Sequence, residues 1–241
     1  MKPVKLGQNF LVNRNVAEKI VNSFLPVKGG ILEVGPGRGI LTDFLVKNRK
    51  KNQIKAVETD IELADQLRKK KLQNVEVVNR DILGVDLKTM FIGEKEVNVI
   101  SNVPYYISSD FINWLISQQK RIKKGILMMQ REFVEKLELN PNSKLSNAQS
   151  VIFNYIFKLK RLFSVNPGSF SPQPKVKSIV FLFENIFTKH VPGNRFAPGD
   201  FYLFLKACFR NRRKMLTKNL EGICDSGKMM NLLGKYKLSP E

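Results

Sequence analysis

The run Ser101-Asn102-Val103-Pro104-Tyr105-Tyr106-Ile107-Ser108-Ser109 holds the side chains best suited to chemistry. An asparagine amide oxygen, here that of Asn102, can accept a hydrogen bond from an exocyclic amine. Pro104 stiffens the backbone so that a neighbouring carbonyl can accept the amine's other proton. With both protons held, the nitrogen lone pair points at an electrophile such as a methyl group. Tyr105 offers a face on which a nucleobase can stack. No strong base is needed where the leaving group is a neutral thioether departing from a sulfonium, so alignment carries much of the rate.

Three more runs read as parts of a nucleoside site. Glu33-Val34-Gly35-Pro36-Gly37-Arg38-Gly39 follows an apolar run from Ile31 and opens a helix. Its spacing is G-x-G-x-G, whereas dinucleotide cradles use G-x-G-x-x-G. That favours a turn passing an adenosine and an amino-acid tail over one gripping a pyrophosphate. Glu58 ends the next strand-like run, where a carboxylate can take both hydroxyls of a ribose. This suits S-adenosyl-L-methionine and NAD alike. Asp81 follows a third run and can accept from an adenine amine, with Ile82 covering a ring face. On the residues alone, Asp81 serves equally well as a helix N-cap.

These residues need elements to position them. Strand-like runs at 31–34, 54–58, 75–78, 97–100 and 125–129 alternate with helical stretches at 41–46, 61–70 and 109–118, after a first helix over 12–25. Alternation of this kind predicts a parallel, doubly wound α/β sheet, with ligands beyond the carboxyl ends of its strands. A helix over 145–157 and two β-like runs, 157–165 and 176–183, predict an antiparallel pair at one sheet edge. Pro192, Gly193, Pro198 and Gly199 mark a linker, so a catalytic domain over 1–190 and a small helical domain over 191–241 are expected, the latter led by a helix over 201–220.

The chain has 241 residues, with 41 Lys and Arg against 21 Asp and Glu, a net charge of +20. Such a balance predicts a polyanionic partner, nucleic acid first. Basic clusters recur at 47–51, 68–71, 120–124, 158–161 and 210–214. Cys208 and Cys224 fit no metal or redox spacing, and His190 is the sole histidine, which argues against a hydrolase triad or a metal site. No secretory leader and no apolar stretch of membrane length is evident, so a cytoplasmic protein is expected.

Taken in order, Gly7-Gln8-Asn9-Phe10-Leu11, the Glu33–Thr42 turn and Asn102-Val103-Pro104-Tyr105-Tyr106-Ile107 resemble the ribosomal RNA adenine N6,N6-dimethyltransferases, the small-subunit (16S-type) branch most of all. The likeness continues through Met129–Glu132, Pro141–Ser146, Phe170–Ser178 and Phe209–Lys214, and so spans most of the chain. It implies a Rossmann-like methyltransferase using S-adenosyl-L-methionine. Asn9 and Leu11 would line the cofactor pocket from an N-terminal arm, and Gly35 and Gly37 would pass the methionine end. Glu58 would bind the ribose and Asp81, with Ile82, the adenine. Asn102 would contact both cofactor and target amine. Tyr105 and Phe170 would sandwich a flipped adenine, and Arg210, Arg212, Arg213 and Lys214 on the C-terminal helix would contact RNA. The implied product is two adjacent N6,N6-dimethyladenosines near the 3′ end of small-subunit rRNA, made by a monomer acting on the subunit or its precursor.

The chain departs from the family pattern twice. The family usually continues past Leu238-Ser239-Pro240, so the C-terminal domain looks short. Arg38 stands where an apolar residue is more usual. The rival readings are a large-subunit (23S) dimethyltransferase conferring macrolide-type resistance, a non-catalytic ribosome-assembly factor and an NAD-dependent oxidoreductase. Gly7, the Phe170–Ser178 segment and Arg212-Arg213-Lys214 favour the small-subunit form.

Overall fold

Along the central strands of the main sheet, side chains alternate between two apolar layers, which is how a sheet covered on both faces must be built. The computed structural model describes residues 8–48, 53–139, 146–187, 196–211 and 213–236. Its strands are β1 (Phe10–Leu11), β2 (Gly30–Val34), β3 (Ile54–Glu58), β4 (Val75–Asn79), β5 (Val97–Asn102), β6 (Ile122–Gln130), β7 (Phe157–Val165), β8 (Phe170–Ser171) and β9 (Ser178–Asn185). The helices are α1 (Arg14–Phe24), α2 (Ile40–Asn48), α3 (Ile61–Lys69), α4 (Leu87–Met90), α5 (Ser108–Ser117), α6 (Arg131–Leu137), α7 (Ala148–Ile156), α8 (Pro198–Cys208), α9 (Leu216–Asn219) and α10 (Ser226–Lys235).

Seven strands form one sheet in the order β4-β3-β2-β5-β6-β9-β7. The neighbours from β4 to β6 are parallel, and β9 pairs antiparallel with both β6 and β7. The expected doubly wound sheet and its antiparallel edge are therefore both present. One layer gathers Leu32, Val34, Val99, Leu127, Phe181 and Phe183 against α5 and α7. The other gathers Ile31, Ile54, Ile100, Ile126 and Val180 against α1 and α2. In α1, Ala17, Ile20, Val21 and Phe24 form the buried stripe, and Asn13 Oδ1 caps its start by accepting from Val16 N at 3.1 Å.

The C-terminal region differs from expectation. The predicted helix over 201–220 is two helices, α8 and α9, separated by residues 209–215. Asn211 Oδ1 accepts from Arg213 N at 3.2 Å, a local turn that competes with helix. Asn219 Nδ2 donates to the carbonyls of Cys208 and Asn211, at 3.0 and 2.9 Å, and fills acceptors that a continuing helix would have used. The expected domain boundary near 190 lies outside the described residues. Helix α8 itself faces two ways. Leu205 is buried in the layer of α5 and α7, and Tyr202 Oη donates to Asn113 Oδ1 at 2.9 Å, while Ala207 belongs to a small separate cluster with Leu220, Met229 and Leu233.

Candidate active site

The carboxyl ends of β2, β3, β4 and β5 meet where the sheet order reverses, and a cleft opens there. Asn9, Leu11, Gly35, Gly37, Glu58, Asp81, Ile82, Asn102, Pro104 and Tyr105 all line it. Residues scattered over the first 105 positions are thus brought to one place by parallel strand pairing.

The strand ends are tied together by side chains that the motifs did not single out. Ser101 Oγ donates to Val34 O at 2.7 Å, joining β5 to β2. Asn79 Nδ2 donates to Glu58 O and Thr59 O, at 2.7 and 3.1 Å, joining β4 to β3. The Glu58 carboxylate is aimed by two backbone donors, Gly37 N to Oε2 and Asp60 N to Oε1, each at 3.0 Å. Each oxygen keeps a lone pair for a hydroxyl. Asp81 Oδ1 caps the following turn at Leu83 N, 3.0 Å, so the capping role read from the sequence is real and leaves Oδ2 to the cleft.

The glycine turn needs its glycines. Gly35 and Gly37 have φ of +63° and +55°, where side chains are strained. A Cβ on Gly37 would also stand 3.0 Å from the Phe10 ring. That ring belongs to the N-terminal arm, which crosses the turn and is held by the β1–β8 pairing, Phe10 with Ser171 and Leu11 with Phe170. Asn102 Nδ2 donates to Asn9 O at 3.2 Å, so its Oδ1 is the atom left to accept from a ligand. Tyr105 Oη shares a 3.1 Å hydrogen bond with Ser178 Oγ at the start of β9. Burial raises the Tyr105 pKa, so the phenol stays neutral.

Phe170 is placed otherwise than a stacking partner requires. It is 4% exposed and packs with Leu11, Ile100, Met128 and Val180, and it does not line the cleft. Pairing of β8 with the arm covers its ring. Among the described residues Arg210, Arg213 and Lys214 are exposed, in the loop between α8 and α9 rather than on a helix; Arg212 lies outside the described residues. Sequence reading assigned no role to Tyr106, which lines the cleft 62% exposed. Burial raises its pKa, with the negative charges of Glu58 and Asp81 adding to the shift. Its place beside Tyr105 was the available signal. Glu33 was also passed over. It is fully buried at the base of the glycine turn, neither oxygen has a well-formed hydrogen bond, and desolvation lifts its pKa to about 7.

The donor set fits a nucleoside carrying an amino-acid tail. A carboxylate aimed by backbone donors suits a ribose, a second acid with apolar Ile82 suits an adenine, and a glycine turn without side chains at Gly35 and Gly37 suits a flexible tail. A family model described as Ribosomal RNA adenine dimethylase matches residues 2–236. The chain belongs to the ribosomal RNA adenine dimethylase family. It is accordingly an S-adenosylmethionine-dependent rRNA adenine dimethyltransferase, as the motifs led one to expect, and the oxidoreductase rival falls. Among relatives, the Ribosomal RNA small subunit methyltransferase A of Mycoplasma mobile is 35% identical over 98% of this chain and 89% of its own length. That of Ureaplasma parvum is 38% identical over 92% and 80%. Two solved structures share the fold. The 23S rRNA methyltransferase ErmE has a TM-score of 0.73 at 23% identity, covering 96% of this chain and 91% of its own. A dimethyladenosine transferase from Plasmodium falciparum has a TM-score of 0.73 at 24%, covering 96% and 83%.

Proposed function

We propose that this dimethyltransferase methylates N6 of two adjacent adenosines near the 3′ end of small-subunit (16S) rRNA, during assembly of the small subunit in the cytoplasm, and works as a monomer. The sequence relatives named above are small-subunit enzymes and are matched over most of their length, which favours this target over the large subunit. Among the described residues no helix is long and apolar enough to cross a membrane, in keeping with a ribosomal substrate.

The observation that carries the reading is the state of Asn102. Its amide nitrogen is engaged by the arm, and its oxygen is presented to the cleft beside Pro104 and Tyr105. The bound cofactor supplies an electrophilic methyl on a sulfonium. The protein's part is to align an amine. Asn102 Oδ1 and a backbone carbonyl of the Asn102–Tyr105 turn accept the two amine protons, and the Tyr105 ring, fixed through Ser178, carries the base. Glu58 holds the ribose, Asp81 and Ile82 the adenine, and Asn9, Leu11, Gly35 and Gly37 the walls around the methionine end. Phe170 supports the arm from below unless β8 moves to release its ring. An adenosine in an RNA loop is the natural substrate, because little stacking opposes its extraction. The catalytic unit spans 1–190, and residues 191–241 serve RNA binding through Arg210, Arg212, Arg213 and Lys214.

The test is incubation of the enzyme with labelled cofactor and separately purified, unmethylated small and large subunits, followed by mapping of the label. Paired dimethyladenosines in small-subunit rRNA are expected. Label confined to the large subunit would sink the proposal.

A further inference from the structure

Arg38 puts a cationic side chain into the glycine turn at the cleft. It stands between Gly37 and Gly39, exposed, just before α2. Its backbone carbonyl accepts from Lys70 Nζ at 3.1 Å, but its side chain has no acidic partner among the described residues. The neighbouring acids are engaged elsewhere. Asp43 pairs with Lys70 at 3.0 Å, and Glu58 accepts from Gly37 N and Asp60 N. The guanidinium carbon lies 4.7 Å from the centroid of the Phe10 ring, so the cation rests on the arm that crosses the turn.

Among the described residues, the cleft that Arg38 lines holds one other cationic side chain, Arg80, next to Asp81 at the adenine end. Glu58 and Asp81 commit the β3 and β4 side of the cleft to the adenosine. The amino-acid end of the cofactor then falls toward the glycine turn and the arm, where its free α-carboxylate needs a positive partner. A planar guanidinium meets a carboxylate through two parallel N–H donors, and stacking on an aromatic ring holds that plane in place.

We propose that Arg38 is a cofactor-binding residue that takes the α-carboxylate of S-adenosyl-L-methionine while stacked on Phe10, so that cofactor binding and placement of the N-terminal arm are one event. The carboxylate is the group read. A nucleoside lacking it gains nothing from Arg38.

Calorimetric titration of the full-length enzyme tests this, with S-adenosylhomocysteine and its decarboxylated counterpart as ligands. Arg38→Leu is expected to weaken S-adenosylhomocysteine binding about tenfold, the worth of a solvent-accessible charge-assisted pair. Affinity for the decarboxylated ligand should stay within about twofold. Arg38→Lys should keep the charge and recover part of the loss. Equal weakening of both ligands would overturn the proposal, because it would mean that Arg38 only shapes the arm. So would unchanged binding of both, including the case in which only affinity for RNA fell, which would make Arg38 a phosphate contact at the cleft mouth. Failure of the wild-type enzyme to bind S-adenosylhomocysteine would instead count against the cofactor assignment itself.

Discussion

The cleft and the C-terminal segment are held together in opposite ways. Around the cleft, Glu58 and Asn102 end buried strands, and the strand ends are fixed to one another by hydrogen bonds such as Ser101 to Val34 and Asn79 to Glu58. From the end of α8 onward the buried core shrinks to Ala207, Leu220, Met229 and Leu233, with Ile223 and Met230 about half exposed. The basic residues there lie on a loop. Alkylation of an amine needs angular precision, and strand ends supply it. Attraction of a phosphate backbone falls off slowly with distance, and a loosely held cationic loop is sufficient for it.

Substitutions can sharpen this contrast. The largest effect is expected for Asn102→Ala, with methyl transfer falling about a thousandfold, since the variant loses the oxygen that aligns the amine as well as the tie to the arm at Asn9. RNA binding, measured by filter retention, should persist. Turnover equal to wild type would remove Asn102 from the mechanism. Next comes Leu220→Ala, which empties a site 1% exposed and should cost about 2–4 kcal/mol. Hydrogen exchange should show that loss over 207–236 alone, with affinity for S-adenosylhomocysteine unchanged. A loss shared by the sheet would mean that the two regions unfold as one.

Glu33 offers a third comparison, within the cleft itself. Its carboxyl ionises near the ordinary 4.5 when unfolded and near 7 when folded. Between these values the folded chain holds the extra proton, so the stability due to neutral Glu33 is full below about pH 4.5 and is lost as pH rises through 7. Glu33→Gln should therefore match wild type at pH 4.5 and exceed it by roughly 2–3 kcal/mol at pH 8, read from denaturant midpoints at each pH. A constant difference across that range would show that Glu33 is not neutral in the fold. The smallest effects belong to the basic loop. Arg213→Gln and Lys214→Gln should each lower the salt dependence of RNA binding by about one unit of slope and leave single-turnover methyl transfer at saturating RNA unchanged.

What the sequence disclosed follows the same division. Strands buried on both faces write themselves as apolar runs, and the turns after them must carry glycine or acid, so Gly35, Glu58, Asp81 and Asn102 were legible from spacing and type. Contacts that depend on a distant partner were not. Phe170 looked like an aromatic in a proline-rich loop available for stacking, and only its pairing with Leu11 reveals the burial. Glu33 looked like part of a motif, and only the fold shows a carboxyl without well-formed partners. The break after Cys208 was hidden because Asn211 accepts from Arg213 N in a local turn and Asn219 donates back to the carbonyls of Cys208 and Asn211, bonds that helical periodicity does not encode.

The position of β9 between β6 and β7 sets an order of events during synthesis. Strand β7 leaves the ribosome first, yet its sheet partner is β9, which follows it by about a dozen residues. Until then β6 presents Ile126, Leu127, Met128 and Met129 along an open edge, and β7 has nothing to pair with. The nascent chain must therefore carry an unprotected apolar edge from residue 130 until Ser178–Asn185 inserts. Ser178 is also the hydroxyl that meets Tyr105, so closing that edge and finishing the substrate pocket are the same folding step.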